Sequence, residues 1–196
     1  ELIENPLKLG NAISSSGFNL DTALIILSEN DTIPLQIRDQ LLVQGAGIVL
    51  NPTNGHILGM IGGREEIIYR DHFNRSTQAK RQPGSVFKPF IYLTALEKGY
   101  TTTTELLNQP LILFIDDTTQ WNPQNHDGST GLLTTLREGL RRSLNLISVR
   151  VVQELIEPKE IVQNAKDFGM TTYIRGVDAI ALGVSEVYPL EITAAY

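Results

Sequence analysis

The chain has 196 residues, which fits one domain or a large part of one, and its 41% apolar and 19% charged residues exclude an intrinsically disordered protein. Its net charge of -6 and the lack of a basic stripe argue against a nucleic acid as partner. It contains no Cys, which excludes disulfides, thiolate metal sites and a Cys nucleophile, and we predict neither a metal nor a cofactor.

Residues 1–42 carry only weak signals, and we predict that they are a linker or domain edge preceding a partial domain at 43–196. No segment reaches the ~18 consecutive apolar residues of a membrane span, and the first residues do not resemble a signal peptide. The chain opens on Glu1 instead of Met and stops at Tyr196 within an apolar helical pattern. We therefore expect a longer parent protein, with any membrane anchor outside these residues.

The first strong pattern is a β-hairpin. Two apolar runs, at residues 45–50 and 56–61, flank the sequence Asn51-Pro52-Thr53-Asn54-Gly55. Because Asn-Gly accepts the positive φ that hairpin turns need, these runs predict two antiparallel strands. Further along, Thr, Asn, Asp, Pro and Gly dominate residues 100–130, which indicates a long loop region.

Helical patterns fill most of the rest of the chain. An apolar helical face runs from Ser85 to Lys98, and Gly99 follows where a C-terminal cap is expected. A second stripe runs from Leu136 to Leu155 at steps of three and four residues. Further helices are predicted at 158–168, with Pro in the first turn, and from residue 189 onward. Strands followed by helices indicate the α+β class.

Ser85 and Lys88 are the candidate nucleophile and base. They stand three residues apart at the start of a predicted helix after Pro83-Gly84, so both side chains lie on one helix face. A neutral, buried Lys can take the proton of a neighbouring Ser. The free N–H groups and positive dipole end of a helix start can stabilise an oxyanion. The alternative is that Ser85 only caps the helix and Lys88 is solvated.

Ser143 and Asn145 form a second candidate pair within the sequence Ser143-Leu144-Asn145. The stripe from Leu136 to Leu155 runs through this pair as if the helix were continuous. In a continuous helix the two side chains would point about 200° apart and could not serve one pocket. If they act together, the helix must break near Ser143. The alternative is that they only break or cap the helix.

These motifs and the stretches around them resemble class A penicillin-binding proteins over about residues 43–196. The stretches that carry the resemblance are Gln44 to Gly63, Phe73 to Ser85, Trp121 to Gly128, Thr135 to Ser143 and Ala181 to Glu191. The combination of Ser-x-x-Lys with a Ser-x-Asn element is shared with class A β-lactamases. The resemblance implies an α+β transpeptidase fold, in which an antiparallel sheet packs on helices beside a mostly helical subdomain, and it implies that the C-terminal part is absent.

The resemblance also implies a reaction and the roles of its residues. Ser85 would attack the D-Ala-D-Ala bond of a peptidoglycan stem peptide, with Lys88 as its base. Ser143 would relay a proton to the leaving amine, and Asn145 would bind the substrate amide. β-Lactams would acylate Ser85 as substrate mimics. The parent would also carry an upstream glycosyltransferase domain and a membrane anchor, and it would work in the cell envelope on the extracytoplasmic side of the membrane.

The sequence departs from the family pattern at two places. The third motif, Lys-Thr-Gly, does not occur in these residues, so we expect it beyond Tyr196 and expect this chain alone to be inactive or nearly so. His126 stands where the family usually has Tyr, and we assign it no catalytic role.

Three other readings stay open. A class A β-lactamase would need a Glu-x-x-Leu-Asn loop after Asn145, whereas the similar Glu105-Leu106-Leu107-Asn108 comes before it. A non-catalytic β-lactam sensor or scaffold of the same fold would share the Ser and Lys motif. An unrelated globular scaffold would require several ordered matches by chance.

Overall fold

The computed structural model describes residues 44–63, 73–114 and 120–196. Within these ranges, six short strands form three antiparallel pairs, and helices make up most of the rest. This combination confirms the predicted α+β class. The predicted linker at residues 1–42 lies outside the described residues.

The hairpin that the Asn-Gly turn predicts is confirmed. Strand β1, Gly47–Leu50, pairs with β2, Ile57–Ile61, and the register shifts between Val49 and Leu50. Gly55 has a φ of +71°, and its N–H donates to the carbonyl of Asn51 at 2.8 Å. The turn therefore uses the positive φ for which glycine is suited.

The long loop region predicted at residues 100–130 contains short strands that the sequence did not predict. Strand β3, Glu105–Leu107, pairs with β6, Leu133–Thr135. Strand β4, Leu113–Phe114, pairs with β5, Gln120–Trp121. Strands of two or three residues are too short for an alternating pattern to stand out, which is why the sequence shows only loop-forming residues there.

The predicted helices at 85–98, at 158–168 and from 189 onward are confirmed, whereas the stripe at 136–155 is interrupted near Ser143. No helix of the described ranges is long and apolar enough to cross a membrane. The helical elements are α1 (Arg75–Gln78), a 3₁₀ turn (Gly84–Phe87), α2 (Lys88–Glu97), α3 (Leu136–Arg141), α4 (Asn145–Arg150), a π-helical turn (Val151–Leu155), α5 (Pro158–Asp167), a second 3₁₀ turn (Asp178–Leu182) and α6 (Pro189–Ala194).

Helix α2 lies at the centre of the hydrophobic core, where it packs against α4, α5 and the second 3₁₀ turn. Full burial of one large apolar side chain stabilises the fold by about 2 kcal/mol. Because α2 is held on several sides, its first turn has a fixed position, and that turn carries Lys88. The side chains that are at most 1% exposed in this core include Phe87, Ile91, Ile147, Ile161 and Ile180.

Candidate active site

Ser85 lies in the 3₁₀ turn that leads directly into α2. Gly84, just before it, has a φ of +58°, a conformation that glycine adopts without strain. Phe87 is buried in the core, whereas Ser85 is exposed. The turn therefore anchors itself through Phe87 and presents the Ser85 hydroxyl on the outside.

The segment before Ser85 is docked on a second part of the chain. The backbone N–H of Gly84 donates to the carbonyl of Gly183 at 3.3 Å, and Arg81 and Val187 exchange two backbone hydrogen bonds of 3.0 and 2.9 Å. A Cβ atom on Gly183 would lie 2.2 Å from the carbonyl oxygen of Gly84. Only a residue without a side chain permits this approach, so Gly183 helps to set the position of Ser85.

The helix break expected near Ser143 is confirmed. Ser143 has a φ of +54° between α3 and α4, and it is the one residue other than glycine with positive φ in the described ranges. The N–H of Ser143 donates to Leu140 O at 3.0 Å, and the N–H of Leu144 donates to Gly139 O at 2.9 Å. These bonds satisfy the last carbonyls of α3, as in other left-handed helix ends. The break lets Asn145 begin a new helix in a different direction.

Lys88 is 1% exposed, and its amine reaches across to the turn between α3 and α4. The Nζ donates to Ser143 O at 2.7 Å, to Ser143 Oγ at 3.2 Å and to Asn145 Oδ1 at 2.8 Å. All three acceptors are neutral, and burial lowers the pKa of Lys88 to about 8. The fold thus joins Lys88, Ser143 and Asn145 in one hydrogen-bonded group.

A cavity of about 440 Å³ adjoins this group, a size that suits a small ligand. Lys88 contacts two of the lining residues, Ser143 and Asn145, from the buried side. The Ser85 hydroxyl has no hydrogen-bond partner within the described ranges, so proton transfer from Ser85 to Lys88 stays a prediction. The residues that line the cavity are Ser85, Asn125, His126, Asp127, Arg142, Ser143, Leu144 and Asn145.

Four of the eight residues that line the cavity have no role predicted from the sequence. They are Asn125, His126, Asp127 and Arg142. The Arg142 Nη2 donates to Asp127 Oδ2 and to the Ser129 hydroxyl, both at 3.2 Å. Hydrogen bonds from Ser129 and then from Arg142 lower the pKa of Asp127, so the wall carries a positive and a negative group. Arg142 was detectable by its position next to Ser143, whereas Asn125 looked like an ordinary loop residue.

None of the described part of the chain contains three or more His, Cys, Asp or Glu residues placed to hold a metal ion. The polar groups that line the cavity are hydroxyls, amides, an imidazole and one Asp–Arg ion pair, and the Lys88 amine lies behind Ser143 and Asn145. An exposed hydroxyl at the cavity and a buried amine of low pKa three residues later in the chain are the groups that covalent acyl transfer uses.

Comparison with known families gives a match over most of the chain. Residues 45–183 match the model of the penicillin-binding protein transpeptidase domain. Penicillin-binding protein 1A of Neisseria lactamica is 37% identical over 158 residues, which is 79% of this chain and 19% of that protein. Penicillin-binding protein 2D of Bacillus subtilis is 30% identical over 189 residues, 94% of this chain and 27% of that protein. The chain therefore spans about a fifth of the first relative's length and somewhat more than a quarter of the second's.

Solved structures agree with the family match. Penicillin-binding protein 1A from Haemophilus influenzae superposes with a TM-score of 0.71 at 33% identity, covering 84% of this chain and 23% of that one. The PonA1 protein from Mycobacterium tuberculosis, solved in complex with penicillin V, gives a TM-score of 0.66 at 24% identity over 78% of this chain and 42% of its own. The second likeness is one of fold alone.

Proposed function

The chain belongs to the penicillin-binding protein transpeptidase domain family, and from this premise we propose that it supplies the nucleophile and base of a serine acyl-transfer site that crosslinks peptidoglycan stem peptides. Ser85 is the nucleophile and Lys88 is its base. The observation that carries the proposal is the buried Lys88 amine, bonded to Ser143 and Asn145 at the wall of the cavity that Ser85 lines.

In the first step, Ser85 Oγ attacks the carbonyl carbon of the D-Ala-D-Ala peptide bond. The hydroxyl proton passes to the neutral Lys88 amine as the new C–O bond forms. The C–N bond then breaks, the Ser143 hydroxyl delivers a proton to the leaving D-Ala amine, and Lys88 returns a proton to Ser143. In the second step, an amine from a neighbouring stem peptide attacks the ester carbonyl and gives a proton to the neutral Lys88 amine. The C–O bond to Ser85 then breaks as the crosslinking amide forms, and Lys88 returns the proton to Ser85 Oγ.

The low pKa of Lys88 is what makes it suitable as a base. At pH 7.5 an amine of pKa about 8 is neutral in roughly a quarter of molecules, against about one in a thousand for an ordinary Lys. Asn145 has its amide oriented by two bonds, since its Nδ2 donates to Gln124 O at 2.8 Å while its Oδ1 accepts from Lys88. Asn145 can thus bind a substrate amide without first reorganising.

The same site is proposed to react with β-lactams, whose strained amide would place an acyl group on Ser85. The natural-length protein is proposed to join a glycosyltransferase activity to this transpeptidase activity and to be anchored in the membrane with this domain on the extracytoplasmic side. Support comes from the identity of 37% to a penicillin-binding protein 1A, of which this chain covers 19%.

The test compares wild-type protein of natural length with Ser85→Ala and with Thr103→Ala. Thr103 is exposed, and its hydroxyl bonds only to Thr101 within the described residues, so it controls for loss of a hydroxyl. We expect labelled penicillin to attach to wild type and Thr103→Ala, and we expect both to release D-Ala from a stem-peptide donor. Ser85→Ala should do neither. Labelling of Ser85→Ala at the wild-type rate would exclude Ser85 as nucleophile.

The same assay separates the other readings. Stable acylation by penicillin without release of D-Ala would indicate a sensor. Rapid turnover of the β-lactam itself would indicate a β-lactamase. In the structure, Glu105 belongs to strand β3 and is not among the residues that line the cavity, so it does not supply the carboxylate that fast hydrolysis requires.

A further inference from the structure

Asn125 is a buried residue at the cavity, 6% exposed, for which the reaction above has no role. Its Nδ2 donates to Asn108 Oδ1 at 2.8 Å and to Ser129 O at 2.6 Å, and its Oδ1 accepts from Leu146 N at 3.0 Å. Both donor hydrogens and one acceptor are used. A flipped amide would place an oxygen against two acceptors, so the orientation of this side chain is fixed.

The bond to Leu146 replaces a cap that α4 lacks. The residue before α4 is Leu144, which has no side-chain acceptor for the first N–H groups of the helix. Asn125 supplies that acceptor from a segment 21 residues earlier. The start of α4, which carries Asn145, is therefore fastened to the loop that contains Asn125.

The neighbouring residue completes the connection. Gln124 precedes Asn125, and its carbonyl accepts the Nδ2 of Asn145 at 2.8 Å. This bond turns the Oδ1 of Asn145 towards Lys88, 2.8 Å away. A continuous set of contacts thus runs from the buried Asn125 through the Gln124 carbonyl and Asn145 to the Lys88 amine.

We propose that Asn125 is a positioning residue for acyl transfer, acting through Asn145 on Lys88. The proposal rests on the proposed function, because it assumes that Lys88 and Asn145 serve the reaction at Ser85. Without Asn125, the start of α4 and the Gln124 carbonyl lose their common anchor. Asn145 then no longer presents its oxygen steadily to the ammonium.

The test is a double-mutant cycle in the natural-length protein, with Asn125→Ala, Asn145→Ala and the two combined. We expect Asn125→Ala to slow acylation by labelled penicillin between about tenfold and about a hundredfold, as small misplacements of reacting groups do. In the Asn145→Ala background the same change should slow it by less than about twofold, since the effects of residues in one hydrogen-bond network are not additive. If the rate losses of the two single variants multiply in the double variant, the proposal is wrong.

A second readout separates positioning from simple destabilisation. An aligned acceptor favours the charged amine, so Asn125→Ala should move the midpoint of the pH–rate curve to lower pH. Asn164→Ala is the matched control, because Asn164 is also buried but lies in α5 and does not line the cavity. It should lower the melting temperature and leave both the rate and the midpoint unchanged. An unmoved midpoint in Asn125→Ala would count against the proposal.

Asn125→Asp serves if Asn125→Ala does not fold. It keeps the acceptor for Leu146 and places a carboxylate at a helix start, where negative charge is favourable, but it lacks the donors to Asn108 and Ser129. Its loss of rate must also vanish in the Asn145→Ala background. Ser85→Ala distinguishes failure of the proposed function from failure of the positioning role. If Ser85→Ala still reacts with penicillin, the proposed function is wrong. If Ser85→Ala is inert but the rate losses at Asn125 and Asn145 multiply, only the positioning role is wrong.

Discussion

At Lys88, burial decides the protonation state. The folded pKa is about 8, below the ordinary 10.5, because the charged amine is poorly solvated. Below that pH most molecules carry an ammonium that cannot accept the Ser85 proton, and above it most carry the neutral amine. We predict that penicillin acylation of the natural-length protein rises with pH and levels off above a midpoint near 8. Stopped-flow fluorescence with a labelled penicillin, from about pH 6 to about pH 9.5, measures the curve.

Two variants control this pH prediction. Lys88→Arg keeps a positive charge but cannot become neutral near pH 8, so its rate should fall by at least about a hundredfold at every pH. Lys98→Ala removes an exposed Lys that pairs with Glu160 at 2.8 Å, and it should leave the midpoint in place. A wild-type rate that still rises steeply at the top of this pH range would contradict the lowered pKa of Lys88, and an unchanged rate in Lys88→Arg would contradict its role as base.

Ser143 combines the hydroxyl proposed to relay a proton with a backbone conformation that a side chain makes unfavourable. Its φ of +54° costs about 1–2 kcal/mol for a residue with a Cβ. Ser143→Gly and Ser143→Ala both remove the hydroxyl, but only the glycine relieves the strain. We predict similar losses of D-Ala release in both variants and a higher unfolding free energy, by about 1 kcal/mol, for the glycine variant in urea titrations. Equal stabilities would mean that the turn is not strained.

At the level of elements, the turn that carries Ser85 depends on its contact with the segment that begins at Gly183. The Cβ atom in Gly183→Ala would lie 2.2 Å from the Gly84 carbonyl oxygen, in addition to the strain of a φ of +64°. Gly169→Ala is matched, because Gly169 has a φ of +90° but open space where a Cβ would stand. We predict that Gly183→Ala loses about 1–3 kcal/mol more unfolding free energy, the usual cost of overpacking.

The two glycine variants should also differ in activity. Gly183→Ala should slow penicillin acylation, because the Gly84 backbone and with it Ser85 must shift. Gly169→Ala should acylate at the wild-type rate, because its strain lies in the turn that follows α5. Urea titrations and labelled penicillin measure both effects. If Gly169→Ala slows acylation as much as Gly183→Ala, the contact between Gly84 and Gly183 is not what positions Ser85.

The elements that the sequence predicted well are those with local signals. Helix α2 is predicted by the helical spacing of its apolar residues and by Gly99 just after it, whose φ is +100°. The break at Ser143 could not be seen in the apolar stripe, because Leu144 and Ile147 remain buried on either side of the new helix start. It was predicted from chemistry, since Ser143 and Asn145 could reach one pocket only if the helix ended. Strand β3 was missed because its partner, β6, lies more than twenty residues away.

On the scale of the whole molecule, the site is assembled from segments that are far apart in the chain. Lys88 meets a turn 55 residues later, and Gly84 meets a segment about a hundred residues later. The residues proposed to react could be selected from the sequence because their types and spacing are tied to chemistry. The supporting residue Asn125 was not, because an Asn in a loop is ordinary and its burial depends on which distant segments pack around it.

The activity of the 196-residue chain by itself also depends on which motifs the whole chain contains. The sequence contains no Lys-Thr-Gly, the motif that the family resemblance assigns to substrate binding and to one oxyanion donor. Loss of one oxyanion donor slows acyl transfer by about a hundredfold to about a thousandfold. We predict that the isolated chain reacts with labelled penicillin at least about a hundredfold more slowly than the natural-length protein, compared at equal concentration.

That comparison needs evidence that the isolated chain is folded. Circular dichroism and a cooperative urea transition establish folding. The natural-length protein, diluted to the same concentration, provides the reference rate. Lys88 should keep its burial in the folded fragment, so the slow residual labelling should still depend on Ser85 and still rise with pH. Labelling at the natural-length rate would show that the groups at Ser85, Lys88, Ser143 and Asn145 suffice for acylation without a Lys-Thr-Gly strand.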